Sequence, residues 1–493
     1  LEYSPEFVPF VHKHIAPSLR MIFDSQTESG FLNGVWMLNL AMKRLAVGFS
    51  FFHAGALTES MLFTSLSPRA AGKAFFLSNK EVREMLKDPD KFMPKDFLKA
   101  GNILEQSGFK DSIAFMESTG LVISKQGVED IASDRFYNMM RRATINWRNS
   151  LPHKKVMHDV GVDPSKIEKT FRWFDKITWD KVFTHHKIHT WMTSFHKMVG
   201  KALDNPKSEL SLAIKAQQTG TRSVRSSTVI LREYGEKASR FTNDAFGGLD
   251  WYRLAMDNSN PMLQRLATTA FRPSSRGWLQ LALFAPDWTI ANIRIIAKSL
   301  PGFEKDPELR RLYQAYAINA AIAYATIGTG LNYIFSGHSQ LDNKDPTRID
   351  LGNGDVLTFS KQLMEPFHWI TDPQKTAIKK IGSVPRTTLE IVFNKGYLST
   401  GWSPNIVKKD DMAIEKFFKL GGHASFKFLP IWMQSAVRQI ADGYEREGLS
   451  PDLAIDTAVK FVLGQTGHPI YKGPRSSAYK LKGLAHDPME TLF

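Results

Sequence analysis

Apolar positions along this chain recur mostly at helical spacing. Between 167 and 199, Ile167, Phe171 and Phe174, then Ile188, Trp191, Phe195, Met198 and Val199, fall three, four or seven apart. That is the apolar face of an amphipathic helix, expected to break into two near Thr178-Trp179. Helix starts are marked by a capping box at Ser78-Asn79-Lys80-Glu81 and by Asp163-Pro164 and Asp306-Pro307, where a capping Asp precedes a Pro at the first helical position. One clear strand signal appears, over Arg348 to Phe359, around Asn353-Gly354-Asp355. A three-residue loop at 353–355 would set Leu351 against Leu357 and Ile349 against Phe359, with all four on one face. A two-residue Asn-Gly loop would scatter that face. The expected fold is therefore mostly α, an irregular multi-helix assembly with one short β-hairpin near 348–360.

A stretch poor in aromatics, 204–227, contains Asn205-Pro206, Thr219-Gly220 and Ser226-Ser227 and reads as a linker. It would divide an N-terminal helical region, 1–203, from a C-terminal helical region, 228–470. A basic tail would follow over 471–493, carrying Lys472, Arg475, Lys480 and Lys482. Leu1 opens the chain without a basic-apolar-small signal pattern, so the expectation is a longer or processed product.

The longest uncharged run is Leu312 to Phe335, 24 residues that follow Arg310-Arg311. As a helix it would be about 36 Å long, enough for a hydrocarbon core of roughly 30 Å. Its membrane-insertion candidates are Leu312, Tyr316, Ile318, Ile322, Tyr324, Ile327, Leu331 and Phe335. Against insertion stand Gln314, Asn319, Thr326, Thr329 and Asn332, which make transfer into lipid only weakly favourable. A buried or partner-packed helix is the favoured reading, and membrane insertion the alternative. A second apolar region, 31–63, is cut by Lys43-Arg44, and the piece from Leu45 to Thr58 is too short to span a bilayer.

Composition narrows the chemistry. The chain has 493 residues and no cysteine, which removes disulfides, thiolate nucleophiles and Cys-based metal sites together. Lys and Arg number 64 against 49 Asp and Glu, a net charge of +15 that favours phosphate-bearing partners, either nucleic acid or anionic lipid. The phosphate-binding candidates are Arg222, Arg225, Arg232 and Arg240, spaced among Ser and Thr.

No Walker loop, Gly-x-Ser-x-Gly elbow or His-Glu-x-x-His motif occurs. His185 and His189 lie four apart and could form two corners of a metal site, but no carboxylate at helical spacing completes it. Glu28-Ser29-Gly30-Phe31 resembles the start of the lytic transglycosylase motif, yet the continuation Leu-Asn-Gly-Val-Trp-Met-Leu departs from that family's pattern. The expectation is a non-enzyme with no catalytic residue, no metal and no cofactor.

Several phrases in order carry a further resemblance. They are Thr178-Trp179-Asp180-Lys181-Val182-Phe183, then Asn243-Asp244-Ala245-Phe246-Gly247-Gly248-Leu249-Asp250-Trp251, then Phe284-Ala285-Pro286-Asp287-Trp288 with Asn292 and Arg294. Ile349-Asp350-Leu351-Gly352-Asn353-Gly354 follows, with Lys361-Gln362, Trp369 and Asp372-Pro373 after it. Over roughly residues 165 to 435 the chain resembles the C-terminal region of large tailed-bacteriophage internal virion proteins, also called large polyvalent proteins. The resemblance implies a structural protein held in the virion interior and ejected with the genome. Its partners would be other virion proteins and copies of itself, with DNA and the host membrane as further candidates, and its place during infection the host envelope. A nucleic-acid-binding packaging protein is the first alternative, and a cell-wall glycan hydrolase acting through Glu28 the second.

Overall fold

The computed structural model describes residues 52–65, 112–122, 169–170, 172–173, 183–221, 225–247, 286–343, 348–352, 355–358, 373–395, 405–427, 434 and 470–472. The helices of the main body are α1 (Phe52–Ser65), α2 (Ser112–Ser118), α3 (Thr184–Asp204), α4 (Glu209–Gln218), α5 (Ser227–Ala245), α6 (Pro286–Ser299) and α7 (Pro307–Ser336). After them come β1 (Arg348–Asp350), β2 (Asp355–Thr358), α8 (Pro373–Lys379), α9 (Ser383–Val392), α10 (Ala413–Lys427) and β3 (Ile470–Lys472). The protein is mostly α with a short β-hairpin, as the periodicity predicts.

α3 buries the stripe read from sequence, Ile188, Trp191, Phe195, Met198 and Val199, chiefly against α5. α5 answers with Ile230, Leu231, Ala238 and Phe241. Trp191 and Phe195 stack at 4.8 Å, and Phe115 of α2 meets both rings edge-on. Several polar groups here are hydrogen-bonded to one another inside the core. Trp191 Nε1 donates to Ser239 Oγ at 2.8 Å, and Ser239 in turn contacts Thr119 Oγ1 at 2.8 Å. Buried Lys187 donates to the Val122 carbonyl at 2.6 Å and to Asn243 Oδ1 at 3.3 Å, while Asn243 Nδ2 donates to the Gly120 carbonyl. The end of α2 is thereby fastened to α3 and α5 by hydrogen bonds rather than apolar packing alone.

α7 lies against α1 and α6 and contributes Leu309, Leu312, Tyr313, Tyr316, Ala320 and Ala323 to the same core. Its start follows the sequence signal: Asp306 accepts from the amides of Glu308 and Leu309 at 2.9 and 3.1 Å, with Pro307 in the first turn. Its end is a left-handed Gly337, φ +76°, whose amide returns to the Tyr333 carbonyl.

Two segments expected to be a linker and a tail contain regular structure. The 204–227 segment holds α4, whose Leu210 and Ala213 are buried between α3 and α5. One apolar core takes residues from both sides of the expected linker, because Ser208 and Ser226 cap successive helices instead of releasing the chain. The expected tail, 471–493, begins inside the sheet, where Ile470–Lys472 pairs antiparallel with β2.

The hairpin also shifts. Ile349 pairs with Leu357, not Phe359, and the Leu351 amide donates to the Asp355 carbonyl, so three residues, 352–354, connect the strands. The loop length is as expected, but it begins one residue earlier. Gly352 explains this. It adopts φ +79°, and a Cβ there would stand 2.5 Å from the Phe335 carbonyl oxygen at the end of α7. Only glycine permits that approach. Ile349, Leu357 and Ile470 still share one buried face, since a two-residue register shift preserves parity. Phe359, the Ser78 capping box and Asp163-Pro164 lie outside the described residues.

Candidate functional site

No helix among the described residues is long and apolar enough to cross a membrane, α7 included. The uncharged run of α7 is divided between two environments. Leu312 and Tyr316 are buried, Tyr324, Ile327 and Leu331 are half-buried, and Ile318, Ile322 and Phe335 are exposed. Several of its polar residues are engaged in packing. Asn319 Nδ2 donates to the Phe63 carbonyl of α1 at 3.0 Å. Asn332 Oδ1 accepts from the Asp350 amide at 2.8 Å and from Asn343 Nδ2 at 2.7 Å, joining α7 to the hairpin. Gly328 makes room for Gln340, whose Nε2 donates to Tyr324 Oη at 2.6 Å.

The arginine candidates are not gathered into one site. Arg225 lies between Glu209 and Glu233, whose carboxylates hold its guanidinium, and hydrogen bonding to Glu233 raises its pKa further. Arg232 pairs with Glu236 one turn on, at 3.7 Å. Arg240 lies two turns further along α5, and Arg222 is outside the described residues, as is Glu28. His185 and His189 are only half-buried, and among the described residues no group of three His, Asp or Glu could hold a metal ion.

The chemistry that sequence reasoning missed is buried. His186, between that pair, is fully enclosed: Nε2 faces Thr58 Oγ1 of α1 at 3.3 Å, Phe246 lies edge-on, and Nδ1 meets no hydrogen-bond partner. Burial, then the neighbouring His189 and His185, pushes its pKa down to about 3. Burial also lowers His196, to about 4, and His189. Asp244 at the end of α5 accepts from Tyr313 Oη at 2.5 Å, from Lys298 Nζ at 3.1 Å and from Arg294 Nε at 3.0 Å. This network ties α5, α6 and α7 together. Burial raises the Tyr313 pKa well above the usual phenol value, so the ring remains a neutral donor. A second network centres on fully buried Glu390 of α9, which receives Arg386, His423 and Lys427, the last at 2.8 Å. Burial pushes its carboxyl up, but the hydrogen bonds from His423 and Lys427 outweigh that and leave it below the ordinary value.

That second network has a consequence at the surface. α10 turns His423 and Lys427 inward to Glu390 and leaves Ile414, Phe417 and Phe418 in solvent at 62%, 73% and 68% exposure. Met412, Val392 and Phe393 are exposed beside the same two helices, where Asn394 holds Val407 by two hydrogen bonds of 2.7 and 2.8 Å. Large apolar side chains are thus gathered in solvent on this pair of helices. The signal in sequence is the spacing Ile414, Phe417, Phe418, an i, i+3, i+4 stripe.

Compared with known proteins, the chain matches no family model, no curated protein and no solved structure.

Proposed function

We propose that this chain is a structural internal virion protein, ejected with a phage genome, which assembles with other virion proteins and contacts the host envelope. The observation that carries the reading is the large apolar side chains left in solvent on a body whose buried polar groups are extensively hydrogen-bonded. Ile318, Ile322, Ile334 and Phe335 on α7, and Phe417 and Phe418 on α10, belong to this set. A surface of that kind suits work by contact. The basic balance of +15 suits a chain that travels beside nucleic acid and meets anionic headgroups. The packaging alternative draws less support, since Arg225 and Arg232 already face carboxylates.

The test is flotation of the full chain with vesicles of phosphatidylglycerol and phosphatidylethanolamine, followed by electron microscopy of the floated material. Deleting 312–335 would remove core residues, so the control is substitution at exposed sites, Ile318→Asp with Ile322→Asp. The expected result is flotation of the wild-type chain, ordered assemblies on the vesicles, and weaker flotation of the substituted chain. A chain that stays unbound and unassembled at every lipid composition overturns the reading.

A further inference from the structure

We propose that Arg386 holds a phosphodiester group of nucleic acid on the outer edge of its guanidinium, at the junction of α9 and α10; this rests on the reading above of a chain that travels beside a genome, and assigns it a point of contact. Charge marks this part of the chain. The stretch from Pro373 to Lys427 carries ten Lys or Arg against four Asp or Glu, so six of the chain's fifteen surplus positive charges fall within it. Such a concentration favours a polyanion.

Three of the lysines are already engaged. Lys419 pairs with Asp411, Lys395 donates to Asn405 Oδ1, and Lys416 donates to the Lys409 carbonyl. Arg386 is placed differently. Its Nε donates to Glu390 Oε1 at 3.1 Å, one turn along α9, while neither Nη group finds an acceptor among the described residues. The side chain is 26% exposed, so a fully buried carboxylate fixes the guanidinium and leaves its far edge open. Two N–H donors on a fixed plane match two oxygens of a phosphate, and holding them in place beforehand reduces the entropy lost on binding.

The charge around Glu390 is unbalanced in the same direction. Arg386 and Lys427 set two positive charges against one carboxylate, and His423 is a third partner at 3.0 Å. The Lys427 side chain is only 10% exposed. Burial lowers its pKa, Glu390 does not restore it, and Arg386 lowers it further. An added anion would stabilise a partly buried cluster of surplus positive charge. A lipid headgroup offers the same oxygens. Phe417 and Phe418, however, lie on the side of α10 turned away from Glu390, so a headgroup bound at Arg386 would not bring them into a bilayer.

Fluorescence anisotropy of the full chain with a labelled DNA duplex of mixed sequence, from about 50 to about 200 mM salt, tests this. The wild type should bind, with log affinity falling linearly in log salt. Arg386→Gln should weaken binding about tenfold and lower that slope by about one. Arg386→Lys should keep the slope and recover only part of the affinity, because lysine offers a point charge in place of the fork. It can still pair with Glu390, so its thermal midpoint should stay near that of the wild type, which keeps the comparison valid if the Gln variant melts early. Lys215→Gln, at an exposed lysine of α4 outside the stretch, should leave binding close to wild type. No binding at the lowest salt, or Arg386 variants that bind as the wild type does, overturns the proposal. So does equal weakening by Lys215→Gln, which would make the contact a diffuse effect of charge. Arg386 variants that keep the duplex but lose flotation with phosphatidylglycerol vesicles also overturn it and assign the site to a headgroup. Wild-type flotation is read without nucleic acid, so the envelope reading stands or fails separately.

Discussion

His186 is a neutral imidazole enclosed between α1, α3 and the end of α5, and its burial makes the body sensitive to acid. Its folded pKa, about 3, lies below the ordinary 6.5, so the folded state prefers the uncharged ring. The resulting stability is fully present above pH 6.5 and is lost as pH falls toward 3. At pH 5 the loss from this one residue is about 2 kcal/mol. Urea unfolding at pH 7 and pH 5 should show His186→Leu losing about 2 kcal/mol less than the wild type over that interval. Equal losses in the two proteins would mean that another group governs the acid response. At the Asp244 network the expected sign is different. Asp244→Ala leaves Lys298 and Arg294 beside a buried phenol with no carboxylate, a loss of about 3–5 kcal/mol at neutral pH. Tyr313→Phe removes one donor and should lose only about 1–2 kcal/mol. Denaturation midpoints at constant slope would resolve the two.

Elements were legible where a short-range pattern governs them. The stripe of α3 and the cap of α7 at Asp306-Pro307 are decided by residues within a turn or two, and both stand where periodicity puts them. The hairpin register was only partly legible, because Gly352 answers to the Phe335 carbonyl, a contact made by another element. The same holds for the polar residues of α7. In sequence Asn319, Asn332 and Gly328 weaken a membrane span, whereas in the structure they meet the Phe63 carbonyl, the hairpin and Gln340. The Asp244 and Glu390 networks join residues up to 69 and 37 positions apart, which no local spacing announces. Two glycines, one in α7 and one in the hairpin beside its end, should respond to alanine with opposite signs. Gly352→Ala forces a side chain against the backbone at positive φ and should destabilise the hairpin contact by about 2 kcal/mol or more. Gly330→Ala, with nothing within 4 Å of its Cβ, should stabilise α7 by about 0.5–1 kcal/mol. Thermal melts of both variants against the wild type check the opposed signs.

For the whole molecule, the arrangement of α7 sets the terms on which it could ever meet lipid. Leu312, Tyr313, Tyr316, Ala320 and Ala323 are held by α1, α5 and α6, so presenting the entire uncharged run to a bilayer requires the body to open. The exposed residues Ile318, Ile322 and Phe335 need no such opening. Acid supplies a way to separate the two routes, since burial lowers His186, His189 and His196 and all three lie on α3, against which α1 packs. If α7 is released, binding to anionic vesicles should rise between pH 6.5 and 4 in step with loss of the near-ultraviolet signal from the Trp191–Phe195 stack. In that case His186→Leu should move both curves to lower pH together. Binding at pH 7 with the aromatic signal intact, and unaffected by His186→Leu, would assign lipid contact to the exposed residues and leave α7 in its core.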